Sequence, residues 1–245
     1  MDSDWEIEYE QECVNFGDDH SKFKVMSISE LPIEFLADLE SRQEEISGRR
    51  LWPGSLILAQ YLNNFQQLVE GKTIMELGAG SGICSMLARR LGSSFVAVTD
   101  GDEECIDLMR KNLNTNDFGD DTGIQCFHMR WGDSKSLAAF KEKCSAAQKF
   151  DTIIAGDVLY KRDLLQPFFS TTKEFLDENG QLILCHLPRA GVEHALVKEF
   201  IESEGFFYET IQDIGSVLQD TQTLPPGVEE EDVTAAQLYK IKVTI

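Results

Sequence analysis

The chain has 245 residues, 42% hydrophobic and 27% charged, which is enough to bury a full core and excludes a disordered composition. Twenty-two Lys and Arg against 43 Asp and Glu leave a formal charge of −21, which argues against nucleic acid and suits a basic protein segment or a cationic small molecule, although an acidic surface also serves solubility alone. Six cysteines without a CxxC pair and four scattered histidines offer no metal spacing, no apolar run reaches membrane-spanning length, and Met1 to Glu6 lack the features of a secretory leader.

In chain order, the first 40 residues hold 12 acidic and 2 basic side chains. Trp5, Ile7 and Tyr9 alternate with Glu6, Glu8 and Glu10, the period of a strand with one carboxylate face. Gly17-Asp18-Asp19-His20 then separates it from extended Phe23-Lys24-Val25, which predicts an N-terminal β-hairpin. Residues 31–47 predict a short helical or irregular connector. From Ser55, a candidate N-cap behind Pro53-Gly54, Leu56, Ala59, Leu62 and Phe65 keep helical spacing.

Strands and helices then alternate. Strands are predicted at 73–77, 95–99, 124–128, 151–155 and 182–185. Helices are predicted at 83–91, around Ile106, Met109 and Leu113, at 163–176 and at 194–203. The last strands, 206–210 and 238–243, are joined through Pro225-Pro226-Gly227 and the acids Glu229 to Asp232, which predict a loop over 221–232. With no helix between them, these two strands are expected to pair antiparallel. The fold class is α/β: a Rossmann-like, doubly wound, seven-stranded sheet, mostly parallel with an antiparallel last pair, plus the hairpin. Residues 51–245 form one compact domain behind an acidic hairpin and connector over 1–50.

Met75-Glu76-Leu77-Gly78-Ala79-Gly80-Ser81-Gly82 is the central motif. Its glycines permit a sharp strand-to-helix turn and close approach of a ligand to the backbone, whose free N–H groups favour a carboxylate. A tight turn without ligand would look the same. The dinucleotide fingerprint fails, because Ile83 stands where its third glycine belongs. A phosphate loop fails as well, since Gly71-Lys72-Thr73 precedes the strand and Gln66 occupies its first glycine position.

Asp100 ends the second strand, 20 residues beyond Gly80, where a carboxylate reaches ribose hydroxyls; an exposed turn acid is the plainer reading. Glu76 sits poorly beside a pyrophosphate and suits an amino acid with a sulfonium. Asp157 and Tyr160 follow the fourth strand, facing the glycine loop across the point where strand order reverses. Asp157 could hold an incoming amine and Tyr160 its alkyl stem or cation, or the two could cap a turn and fill the core. His128 and His186 end strands and read as structural.

Together these residues resemble the class I S-adenosylmethionine-dependent methyltransferases, and within them the methyltransferase-like protein-lysine methyltransferases of family 16. The resemblance spans roughly residues 51–187. Leu51-Trp52-Pro53-Gly54 is similar to their tryptophan segment, and 76–82 to their cofactor loop. Thr99-Asp100 with Asn112-Leu113-Asn114-Thr115-Asn116 is similar to their second motif. Trp131-Gly132-Asp133 and Asp157-Val158-Leu159-Tyr160 look like their tryptophan-glycine and Asp-x-x-Tyr motifs.

The resemblance implies a cofactor site of Trp52, Gly78, Gly80, Asp100, Trp131 and Gly156, to which the loop reading adds Glu76 and Ala79. It puts Asp157 and Tyr160 on the substrate side; because a close carboxylate raises the pKa of an amine, Asp157 reads as an orienting group rather than a strong base. It implies S-adenosyl-L-methionine as cofactor, S-adenosyl-L-homocysteine as product and no metal. The expected acceptor is a protein, through lysine Nζ in a basic segment. A small-molecule N-methyltransferase and a catalytically silent binding module on the same fold are the alternatives. A monomer is expected, off nucleic acid and membrane, in the cytoplasm with the nucleus open as a second location.

Overall fold

The computed structural model describes residues 9–17, 21–28, 48–211, 214–215, 225 and 227–243. A hairpin of β1 (Glu10–Asn15) and β2 (Lys22–Ser27) leads in, with Val14 opposite Phe23. It buries Val14, Phe16, Phe23 and Val25 completely. Within the described part of the first strand, the even-numbered Val14 turns to the core, and buried Phe16 follows it. Trp5, Ile7 and the connector at 31–47 lie outside the described residues.

The body alternates helices and strands: α1 (Pro53–Asn64), β3 (Thr73–Leu77), α2 (Ile83–Arg90), β4 (Phe95–Asp100), α3 (Glu103–Thr115), β5 (Ile124–His128), α4 (Ser134–Lys143), β6 (Phe150–Gly156), α5 (Leu165–Phe175), β7 (Leu176–His186), α6 (His194–Ser203), β8 (Phe206–Ile211), α7 (Glu230–Ala235) and β9 (Gln237–Val243). The sheet order is β5-β4-β3-β6-β7-β9-β8. β3 to β7 are parallel, and β9 runs antiparallel to both β7 and β8. This is the doubly wound, seven-stranded α/β fold expected.

Strand periodicity divides the core. Ile74, Val96, Val98, Ile154 and Ile183 point to the face that packs α1, α2 and the hairpin. Met75, Leu77, Ala97, Ile153 and Leu184 point to the other face, with Phe140, Phe168, Phe169 and Phe175 from α4 and α5. Covering both faces leaves the carboxyl ends of the parallel strands as the open end of the molecule.

Three local expectations change. α1 begins at Pro53 with Trp52 as N-cap, because proline at the first helical position has its φ preset. Ser55 instead donates its hydroxyl to Gly156 O at 3.1 Å. α4 was not anticipated: Asp133 caps it through Ser136 N–H at 2.7 Å, and only Leu137 and Phe140 are buried, too thin a stripe to show as periodicity. Within the predicted 221–232 loop, Glu229 and Asp232 form a reciprocal capping box that starts α7.

Candidate functional site

A cavity of about 510 Å³ opens at the carboxyl ends of β3, β4 and β6. That is within the usual range of about 300–1,000 Å³ for small-molecule sites. Gly78, Ala79, Gly80 and Asp100 line one wall, Trp52, Gly156, Asp157 and Tyr160 the other, and Trp131 also faces in. Nine of the ten expected residues thus meet around one space; Glu76 does not reach it.

The glycine wall is held by backbone amides. Gly78 and Ala79 N–H both donate to Thr99 O at 3.0 Å. Asp100 accepts Gly80 N–H at 3.0 Å on one oxygen and Asp102 N–H at 3.0 Å on the other. Two of its roughly four lone-pair sites remain for a ligand. Burial raises the Asp100 pKa against the pull of these N–H groups. Gly80 has φ +53°, and a Cβ there would lie 2.6 Å from the Gly48 carbonyl oxygen, so the loop and the segment entering α1 touch as backbone.

The acids beyond Asp100 serve this scaffold. Asp102 caps α3 through Glu104 N–H at 3.0 Å. Buried Arg49 pairs with Glu104 and lies 3.9 Å from Asp102. Alternation puts Glu76 on the α2 side of β3, along with Ile74. There, 2% exposed, its carboxylate accepts the N–H (2.9 Å) and hydroxyl of Ser85 in the first turn of α2. Burial pushes it up to about 7. Glu76 holds the helix that follows the loop, from beneath.

The opposite wall is a side-chain assembly. The start of α1 packs directly on the end of β6, where a Cβ on Gly156 would fall 2.7 Å from Ser55 Cα. Asp157 adopts φ +60°, uncommon for a residue with a Cβ and frequent at functional sites. Its carboxylate accepts Arg189 Nε at 3.0 Å and an Arg189 terminal nitrogen at 2.8 Å, with Gly54 N–H at 3.4 Å. Asp157 in turn raises the Arg189 pKa further above its ordinary value. The Arg189 guanidinium lies 4.7 Å from the centre of the Trp52 ring, and Arg50 lies 5.3 Å from it. Trp131 stands edge-on to Phe168 at 5.2 Å, against Gly78.

Sequence reasoning missed Arg189. It sits three residues past the end of β7, at the strand end where ligands gather in this fold, and a basic residue at that place was the available signal. His186 lies beneath it: 1% exposed, it bonds Val192 O through Nε2 at 3.1 Å, and burial, reinforced by His194, pushes it down to about 4.

A lysine methyltransferase family profile matches residues 35–203. The protein-lysine N-methyltransferase EFM3 of Chaetomium thermophilum is 31% identical over 132 residues, 54% of this chain but only 39% of its own length. The protein N-terminal and lysine N-methyltransferase EFM7 of Candida glabrata is 25% identical over 194 residues, 77% of this chain and 72% of that protein. The mouse protein-lysine methyltransferase METTL21E is 27% identical over 163 residues, 63% and 62% of the two chains. Among solved structures, the T. thermophilus 16S rRNA N2 G1207 methyltransferase RsmC aligns over 96% of this chain and 51% of its own, with a TM-score of 0.59 at 16% identity, a likeness of fold.

Proposed function

Because the chain belongs to the lysine methyltransferase family, we propose that it transfers a methyl group from S-adenosylmethionine to the Nζ of a lysine in another protein. The observation that carries this reading is the single cavity that joins the glycine loop and Asp100 to Trp52, Asp157 and Tyr160. The residues present fit the cofactor: Asp100 keeps acceptor capacity for a ribose diol, and Trp131 and Met129 offer a flat, apolar border for an adenine. When bound, the cofactor supplies a sulfonium-activated methyl group, whose S–C bond breaks as the amine's N–C bond forms, leaving a thioether and a proton on the alkylated nitrogen.

The protein's own part is positioning. Asp100 meets the ligand, the Gly80 amide holds Asp100 in place, Glu76 steadies α2 beneath the loop, and Trp52 and Tyr160 border the path of the acceptor. A lysine amine with an unperturbed pKa of about 10.4 must arrive neutral, so a border that excludes water favours transfer. The charge of −21 supports a basic acceptor segment over nucleic acid, and the free thiols are consistent with the cytoplasm.

Incubation with radiolabelled S-adenosylmethionine and a cell extract tests the reading. The expected result is labelled protein bands that yield methyl-lysine on acid hydrolysis. Label confined to small molecules, or recovered on another residue, would overturn it.

A further inference from the structure

Asp157 is already engaged before any acceptor arrives. Its side chain is 2% exposed, and Arg189 grips both of its oxygens. An unpaired carboxylate at the acceptor wall would hold a lysine as its ammonium, because an opposite charge within about 4–6 Å favours the charged form by about 1–3 pKa units. An ammonium has no lone pair with which to attack a methyl group. We propose that Arg189 is a positioning residue that keeps Asp157 neutralised, so that this wall orients the acceptor amine without stabilising its protonated, unreactive form. The proposal rests on the lysine reading above.

The surroundings are built for a standing pair. Arg189 opens a four-residue turn in which Val192 N–H donates to Arg189 O at 2.8 Å. Ala190 (φ +46°) and Gly191 (φ +79°) both take left-handed conformations, as a type I′ turn requires, and an alanine does so at a cost. His186 fastens the turn's exit through Val192 O. The Trp52 face supports the guanidinium from a second direction. Gly54 N–H at the start of α1 holds Asp157 from a third.

Among the described residues, the other charged or titratable groups around this spot are Arg50 across the Trp52 ring, Asp100 and Asp102 on the glycine wall, Cys105, Arg130 and Tyr160 in the lining, buried Cys185 and His186 at the end of β7, and Asp232 beyond Arg189. Asp100 and Asp102 are tied to backbone N–H groups, and Arg49 stands beside Asp102. Removing Arg189 therefore changes mainly the charge that Asp157 shows the acceptor.

The test compares the wild type, Arg189→Met and the double variant Asp157→Asn/Arg189→Met. The acceptor is a lysine peptide selected from a peptide library by wild-type labelling, with kcat and KM measured separately across pH 6.5 to 10, because kcat reports the ionisation of the bound acceptor. Arg189→Met is expected to move the rising alkaline limb up by about one pH unit. It should cut kcat about tenfold below that limb, with KM unchanged or lower. The double variant should bring the limb back, which repair of a merely structural loss would not do. Calorimetry with S-adenosylmethionine confirms folding, and Arg189→Gln carries the same test if Arg189→Met loses that signal. An unshifted limb overturns the proposal, as does a double variant that stays shifted. Faster transfer by Arg189→Met at every pH also overturns it and makes Arg189 a gate. If the wild type binds S-adenosylmethionine but labels no lysine peptide, the lysine reading fails and the proposal falls with it; if the wild type is active and only the limb is wrong, the proposal alone falls.

Discussion

The wall bearing Asp100 is made from neighbouring strand ends and their backbone amides, whereas the wall bearing Asp157 is gathered from positions 103 and 32 residues away in sequence. On the first wall, the functional group is held by Gly80 and Asp102 N–H groups that any residue with the same φ and ψ would supply. On the second, it is held by one arginine that no other side chain copies, since only a guanidinium offers the bidentate fork. The first wall should fail when backbone conformation is disturbed, and the second when side-chain chemistry is.

Gly80→Val is the strongest test on the backbone side. A branched side chain at φ +53° is strained by itself, and its Cβ would meet the Gly48 carbonyl, which cannot rotate away as a side chain could. We expect calorimetry to show S-adenosylmethionine affinity lowered by about 1,000-fold or more, about 4 kcal/mol. A loss below tenfold would mean that the loop is not fixed by this contact.

The contrast explains what the sequence could tell. The glycine loop and Asp100 were legible because a strand, a tight turn and a helix start follow one another, so spacing alone places them. A carboxylate next to the glycine loop suits a sulfonium amino acid, which points Glu76 at the ligand, but adjacency in sequence is not adjacency in space. Strand alternation, applied strictly, puts it beside Ile74 on the α2 side, away from the cavity. The Asp157–Arg189 pair was not legible, because it depends on a left-handed turn at Ala190-Gly191 that brings a residue beyond β7 back to the end of β6. The seven strands showed because buried strands are dense in apolar residues. α4, with two buried side chains, did not.

Glu76 supplies a second test of the backbone side, through pH. Its folded pKa of about 7 lies above the ordinary glutamate value of 4.5. The folded state therefore binds a proton that the unfolded state has lost, and stability falls as pH rises from about 4.5 to about 7. At one pKa unit per 1.36 kcal/mol the full loss is about 3 kcal/mol. Glu76→Gln keeps an oxygen for Ser85 and should flatten this dependence, so that urea midpoints of the variant and wild type diverge steadily between pH 5 and 7.5. Parallel curves would show that Glu76 does not titrate in that window.

Asp157→Ala tests the side-chain wall. It leaves Arg189 without its partner, but that arginine is 31% exposed, so the cost is well below that of a fully buried pair, about 1–2 kcal/mol by thermal melts. Methyl transfer to protein should fall more than about tenfold, while S-adenosylmethionine affinity stays within about twofold. A large loss of cofactor affinity would mean that the two walls are one mechanical unit and that the division drawn above is wrong.

The hairpin shows how far that division extends. Asn112 and Asn116, four residues apart on one face of α3, each present an amide to the outer edge of β2. Asn116 accepts Lys24 N–H at 2.8 Å and donates to Lys24 O at 2.8 Å; Asn112 accepts Met26 N–H at 2.8 Å and donates to Met26 O at 3.2 Å. Only Asn112 also donates to Ser81 O, at 2.9 Å, inside the glycine loop. Both alanine variants should lower stability by about 1–2 kcal/mol, as lost buried hydrogen bonds do. Only Asn112→Ala should also weaken S-adenosylmethionine binding, by about threefold, because only it releases the loop. Equal affinities in the two variants would mean that the hairpin is joined to the molecule but not to its cofactor side. A weaker Asn116→Ala would mean that the whole β2 edge, rather than the Ser81 bond, steadies the loop.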